Sequence, residues 1–283
     1  MGQIEIGEIA FVRFALYQRA MFVDSHCHLD YEGLTENCAG VVARAREAKV
    51  IRMVNIGTTL REFQNVLKTA ESFDDVVCSV GVHPHHVDEE EEKPTAGDLI
   101  KLAAHPKVVG IGETGLDYYY NHSPHERQQE SFRQHIRAGM ATDLPIIVHS
   151  RDAEEDTARI LEEEGAGQGN KPRGVLHCFS SRRMLAERAL DLGFYISLSG
   201  ILTFKKSQEL RDIARDVPMD RLLIETDSPY LAPEPFRGKT CEPAYVVYTA
   251  KVLAEIKNVG IEEIGRQTTE NFFRLFNKTP AQR

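Results

Sequence analysis

The chain has 283 residues, of which 42% are hydrophobic, and a formal net charge of −9. That is ample material for the core of one large domain, no apolar run approaches the ~20 residues needed to cross a bilayer, and the acidic balance disfavours a broad basic face for duplex nucleic acid. The five cysteines, Cys27, Cys38, Cys78, Cys178 and Cys241, are odd in number and lack C-x-x-C spacing, which argues against a disulfide framework or a thiolate zinc site and for reduced thiols in a cytoplasmic protein.

Residues 1–20 hold Glu5 and Glu8 without a basic segment or a long apolar core, which argues against a secretory signal. They read as an extension ahead of a domain over 21–283, with Met21 as the alternative initiator. From there, short β-branched runs alternate with amphipathic stretches. Strands are predicted at 22–25, 51–56, 76–82, 108–112, 146–149, 174–177, 195–198 and 222–225. A helix after Thr59 turns Leu60, Phe63, Val66, Leu67 and Ala70 inward. Another opens with Ser123 as N-cap and Pro124 at its first position, and carries Phe132, Ile136 and Met140 on one face. The acidic run from Asp88 to Glu92 and the stretch from Gly165 to Gly169 read as solvated loops. Eight βα units suit a (β/α)8 TIM barrel better than a doubly wound sheet. No dinucleotide or P-loop fingerprint follows the first strand, so a nucleotide cofactor is not expected. The glycines of Gly110-Ile111-Gly112-Glu113-Thr114-Gly115 are expected to serve close backbone packing.

Residues two apart on a strand share a face, so His26 and His28 can reach one ion while Cys27 points away. Glu113, His149, His177 and Asp227 each follow an apolar run in the same way. Any one of these six could be a satisfied buried polar residue. In a barrel, however, the C-terminal strand ends converge on one mouth, and four imidazoles with two carboxylates are an inventory for two divalent ions. A carboxylate can bridge, which suits Glu113. Asp227 combines ligation with proton transfer in one reading and is a pure ligand in the other. Imidazole-rich ligation favours zinc, manganese or cobalt over magnesium.

In order along the chain, Asp24-Ser25-His26-Cys27-His28-Leu29-Asp30, Gly81-Val82-His83-Pro84-His85, the Gly110 to Tyr118 segment, His149-Ser150-Arg151-Asp152-Ala153, His177-Cys178-Phe179-Ser180 and Glu225-Thr226-Asp227-Ser228-Pro229-Tyr230-Leu231 resemble the TatD family of metal-dependent hydrolases and deoxyribonucleases. The resemblance runs from Met21 to about residue 276 and implies an amidohydrolase-like barrel. It also implies one metal on His26, His28, Glu113 and Asp227, a second on Glu113, His149 and His177, and magnesium-supported cleavage of DNA from single-stranded ends in the 3′→5′ direction. Arg237-Gly238-Lys239-Thr240-Cys241-Glu242-Pro243 departs from the family's usual Arg-Gly-Lys-Arg-Asn-Glu-Pro, which places phosphate contact through this loop in question.

Arg151, Lys205, Arg237 and Lys239 fall in predicted mouth loops and are candidates for substrate phosphate, as is His85; His83, at the same spacing, reads as structural. Tyr118 and Tyr119 are expected to pack beneath a loop, with base stacking as the other reading. Two further functions compete. One is an amidohydrolase, lactonase or phosphotriesterase acting on a small molecule, although many such binuclear barrels bridge their metals with a modified lysine and the strand-4 position here is Glu113. The other is a non-catalytic binding module, against which the complete ligand set argues.

Overall fold

The computed structural model describes residues 21–89, 93–167 and 173–279. The extension over 1–20 lies outside them, as do Glu90 to Glu92 of the acidic run and the end of the loop predicted at Gly165 to Gly169. The β-branched runs become eight strands: β1 (Phe22–Cys27), β2 (Val50–Asn55), β3 (Val76–Val80), β4 (Val108–Asp117), β5 (Ile146–Arg151), β6 (Gly174–Leu176), β7 (Tyr195–Leu198) and β8 (Leu222–Ile224). They pair in sequence order, each parallel to the next. Between and after them run α1 (Cys38–Glu47), α2 (Phe63–Glu71), α3 (Ala96–Ala103), α4 (His125–Thr142), α5 (Glu154–Glu163), α6 (Arg183–Asp191), α7 (Gln208–Asp216), α8 (Val246–Lys257) and α9 (Ile261–Leu275).

The seam between β8 and β1 closes at the C-terminal mouth. Asp227 donates its N–H to the His26 carbonyl (2.9 Å) and His28 donates to Ser228 O (2.8 Å). Deeper in the seam the Asp24 carboxylate accepts from the Thr226 N–H (2.9 Å) and hydroxyl (2.6 Å), a side-chain substitute for ladder bonds. Burial pushes Asp24 up to about 8, against the hydrogen bonds from Thr226.

Two apolar layers hold the barrel. Inside, each strand supplies an apolar side chain, from Val23 on β1 round to Leu223 on β8, and Phe272 and Phe276 at the end of α9 pack against them. Outside, α2 buries Phe63, Val66 and Ala70, with Leu60 and Leu67 partly covered, on the face expected from their spacing. Fully burying one such aliphatic or aromatic side chain contributes about 1.5–3 kcal/mol.

Two expectations need correction. α4 begins at His125, with Pro124 in the cap position and no side-chain cap. Ser123 is engaged elsewhere: its hydroxyl donates to His85 O (3.2 Å) and accepts the Asp88 N–H (3.3 Å), tying the loop after β3 to α4. Strand β4 also runs on past Gly112 to Asp117, paired with β5 as far as Arg151. Among the described residues no helix is long and apolar enough to cross a membrane, and all five cysteines are free.

Candidate metal centre

Irregularities in two strands aim the central ligands. Between Asp24 and Cys27, β1 advances three residues while β2 advances two, from Met53 to Asn55. This bulge lets Val23 face the barrel interior and His26 face it too, which strict alternation forbids. Cys27 then points outward and donates its thiol to Val54 O (3.3 Å). A second bulge lies in β4, where Ile111 to Thr114 oppose Ile146 to Val148. Gly112 and Gly115 flank Glu113 at φ 139° and 133°; a Cβ on either would meet the Ile147 or His149 carbonyl at 2.5 and 2.0 Å. The expected close packing of these glycines is therefore what lets β4 lean inward. The Glu113 N–H reaches Gly57 O beyond the end of β2 (2.9 Å), so its carboxylate stands near the barrel axis.

Around that carboxylate the imidazoles divide into two sets. Glu113 Oε2 faces His26 Nε2 at 3.4 Å, while Oε1 faces His177 Nε2 (2.7 Å), His83 Nε2 (3.2 Å) and His149 Nδ1 (3.3 Å). Asp227 Oδ1 lies between His26 Nε2 (3.6 Å) and His28 Nε2 (3.5 Å). Asp227 sits at φ 59°, in the left-handed region that Asp tolerates, where the chain turns after β8. All six residues expected at the mouth thus converge.

The donor set suits divalent ions. Both ring nitrogens of His26, Nδ1 of His28 and Nε2 of His177 are buried without a hydrogen-bond partner. Nine in ten buried polar atoms are satisfied. Among these orphans, Nε2 of His26 and Nε2 of His177 both face the Glu113 carboxylate, which marks the place of a shared partner. Ligand atoms at about 2.1 Å from one ion stand roughly 3.0–3.4 Å apart at octahedral or tetrahedral angles, close to most of the N···O separations here. In three groupings the ligand atoms all lie within 4.8 Å of one another: His26 with His28 and Glu113, His26 with His177 and Asp227, and His83 with Glu113 and His149. Burial opposes charge on Glu113, but electrostatic interaction with the surrounding imidazoles, His177 foremost, and a hydrogen bond from His149 hold it well below the usual carboxylate range. Burial also lowers His83 to about 3, leaving it a neutral imidazole. Its Nδ1 accepts the His85 N–H (3.1 Å), so the proton stands on the Nε2 that faces Glu113.

Two buried carboxylates orient these imidazoles. Glu225, fully buried, accepts the Cys178 N–H (2.6 Å) and the Ser197 hydroxyl (2.5 Å) and lies 3.3 Å from His177 Nδ1. Asp117 Oδ2 pairs with both His149 Nε2 (3.1 Å) and His85 Nε2 (2.8 Å). Burial disfavours its charge, yet hydrogen bonds from His149 and His85 hold Asp117 far below the ordinary range. Carboxylates on the far nitrogen of a ligating imidazole fix its tautomer and raise its basicity. The sequence reading assigned no role to Glu225 or Asp117 and left His83 structural. The signal was present: Glu225 and Asp117 each end or follow a strand whose ligand lies two or four residues away.

Of the expected phosphate contacts, His85 and Arg151 line the cavity of about 820 Å³ above the cluster. Lys205, Arg237 and Lys239 are exposed but stand outside its lining; the Arg237 guanidinium lies 3.6 Å from the centre of the Phe204 ring and Lys239 faces Phe236. Tyr118 stacks on His125 (3.7 Å) and donates to Asp156 (2.8 Å), which bears out packing, whereas Tyr119 is 57% exposed. Lys107 donates to Phe73 O and Val76 O at the start of β4, away from the mouth.

Cys241 is fully buried, its N–H bonded to Pro229 O (2.9 Å), so its side chain faces protein; Thr240 abuts Gly33 at the surface. Of the two positions of the departure only 240 is exposed, so the question of phosphate contact through this loop narrows to Thr240. Cys241→Asn is expected to lower stability by about 1–3 kcal/mol, because an amide there enters a site shaped for a thiol without assured partners. Urea denaturation checks this, and an unchanged midpoint would mean the loop readily turns position 241 outward.

A parallel barrel whose C-terminal mouth gathers imidazoles and carboxylates defines a metal-dependent hydrolase of the amidohydrolase-like kind. A family model described as TatD related DNase matches residues 23–277. YcfH of Escherichia coli K12, named an uncharacterized metal-dependent hydrolase, is 48% identical over 258 residues, covering 90% of this chain and 95% of that protein. YabD of Bacillus subtilis, named likewise, is 41% identical over 256 residues, covering 90% and 99%. The crystal structure of YJJV, a TatD homolog from Escherichia coli K12, superposes with a TM-score of 0.84 at 29% identity, covering 91% of this chain and 98% of that one. The chain belongs to the TatD family of metal-dependent hydrolases.

Proposed function

We propose that the chain hydrolyses phosphodiester bonds of DNA, working from single-stranded ends in the 3′→5′ direction with two divalent ions, Mg²⁺, Mn²⁺ or Zn²⁺. His26, His28, Asp227 and Glu113 would hold one ion, and His149, His177 and Glu113 the other, with His83 beside the second. The observation that carries this assignment is the division of imidazoles between the two oxygens of Glu113. Divalent ions paired in this way polarise a phosphoryl oxygen and bring the pKa of water toward neutrality. Asp227, its side chain 16% exposed to the cavity, accepts the proton of the attacking water. Burial disfavours its charge, but the hydrogen bond from His28 and the neighbouring imidazoles keep Asp227 below the ordinary carboxylate range, so it is anionic when that proton arrives. Asp117 keeps His149 turned with Nδ1 toward Glu113 and presents His85 to the cavity, where His85 and Arg151 take substrate phosphate oxygens.

The test is incubation with end-labelled single-stranded DNA, with and without EDTA, beside a panel of carboxylic esters, lactones and phosphotriesters. EDTA-sensitive release of nucleotides from the 3′ end is expected, restored by a divalent salt. Turnover confined to the small-molecule panel would replace this reading with that of a small-molecule hydrolase.

A further inference from the structure

Charge is laid out unevenly around the mouth. The described lining of the cavity contains one permanent cation, Arg151, against Glu113, Asp152, Glu154 and Asp227. Away from the bound ions, a polyanionic strand finds little there to hold its phosphates, and the chain as a whole carries a net charge of −9. Arginines on the outer helices are neutralised by carboxylates, as Arg133 is by Glu163 and Glu164 and Arg188 by Glu155 and Glu162. One stretch of the rim differs. Lys205, Lys206, Arg237, Lys239 and Lys251 are all exposed, and among the described residues none of them forms an ion pair. The acids closest along the chain do not neutralise them: Glu209, Glu234 and Glu255 are exposed and unpaired with them, and Glu242 is taken by Arg44.

Aromatic rings gather these cations into one strip. The Arg237 guanidinium lies 3.6 Å from the centre of the Phe204 ring, beside Lys205 and Lys206 in the loop after β7. Lys239 faces Phe236 (5.8 Å) and Lys251 faces Tyr248 (4.8 Å). Phe236 in turn stacks on Tyr245 (4.2 Å, 7°) and meets Tyr248 edge-on (5.0 Å, 83°), so the loop after β8 and the first turns of α8 carry their cations side by side. The rings are occupied by one another and by the cations, so this surface offers fixed charge. A ring engages the flat of a guanidinium and leaves its N–H edge for another acceptor.

The strip begins where the cavity ends. Ile201, Tyr230 and Leu231 line the cavity, and the two loops that carry them are pinned together. A Cβ on Gly200 would stand 2.1 Å from Leu231 O, and the Glu234 N–H donates to the Thr203 hydroxyl (2.9 Å). Arg211 fixes the first loop by donating to Leu202 O (3.0 Å) and Phe204 O (2.8 Å). Free cations attract any polyanion, but continuity with a cavity that is itself acidic favours one whose reacting end lies at the metal centre.

We propose that Lys205, Lys206, Arg237, Lys239 and Lys251 form a phosphate-binding track outside the catalytic cavity, which holds the nucleic-acid backbone several nucleotides away from the bond being cut. This rests on the phosphodiesterase reading above and extends its footprint: chemistry sits at the ions, and a sequence-independent share of affinity sits on the track. To test it, cleavage-resistant phosphorothioate thymidine strands, a dinucleotide and a hexadecanucleotide, are titrated onto the metal-loaded protein by fluorescence anisotropy over a salt series. The parent should bind the longer strand with the steeper salt dependence. Lys206→Ala and Lys251→Ala should each reduce the slope of log K against log salt on the longer strand by about 0.7, the loss of one phosphate contact, and leave dinucleotide affinity within about twofold. Lys206→Arg and Lys251→Arg should keep the parental slope, since the charge is what binds. An unchanged slope in either alanine variant, or equal loss on both strands, overturns the track. Polyglutamate and phosphatidylserine vesicles run beside the strands. Binding of either that the alanine variants lose, with the hexadecanucleotide unaffected, overturns it too and gives the surface to an acidic protein or a membrane. The outcome is separable from the reading beneath it. Length-dependent binding without cleavage of ordinary DNA keeps the track and removes the nuclease, whereas metal-dependent cleavage with an affinity indifferent to these cations does the reverse.

Discussion

Glu113→Ala is expected to release at least one divalent ion per chain and to abolish most turnover, while the barrel stays folded. Its carboxylate is the group that both imidazole sets face, at 3.4 Å on one oxygen and 2.7–3.3 Å on the other. Removing it leaves His149 and His177 with no carboxylate on their metal-facing side, and His26 and His28 with Asp227 alone. Loss of even an outer partner of a metal ligand costs about 10–100-fold in metal affinity or activity, and a carboxylate touching both halves should exceed that. The fold has no comparable dependence, because the interior apolar layer and α9 lie below the cluster. Elemental analysis of the purified variant beside the parent, with circular dichroism for the fold, checks both halves. Two ions retained per chain would end the bridging assignment.

Asp227→Asn separates ligation from proton transfer. An amide still offers one oxygen toward His26 and His28, whose Nε2 atoms lie 3.6 and 3.5 Å from Oδ1. What it loses is basicity. General-base assistance contributes about 10²–10⁴-fold, so turnover of single-stranded DNA should fall by that factor with metal content near parental. The same loss with empty sites would reduce Asp227 to a ligand. Near-parental turnover would remove it from the reaction, and the strand-8 end would then have to supply something other than the base.

The sequence by itself determined the strands and their order, and with them the mouth. Alternation and β-branching act over a few residues, so seven of the strands lie within two residues of the expected bounds. Once the barrel is granted, His26, His28, Glu113, His149, His177 and Asp227 have to converge, because strand ends meet at the mouth whatever their separation along the chain. Tertiary structure decided what depends on bulges and on contacts between distant segments. Two bulges reset the facing of His26 and Glu113, and the β4 glycines that allow one of them were legible only as close packing. Glu225 and Asp117 become orienting groups only when His177 and His149 are brought against them across neighbouring strands. Ser123 caps nothing because the loop after β3 claims its hydroxyl, and Cys241 turns inward because Pro229 takes its N–H. Loop cations are the extreme case. Arg151 reaches the cavity while Lys205, Arg237 and Lys239 do not line it, since where a loop side chain ends up is set by whichever neighbours the folded barrel brings to it, and no local periodicity records them.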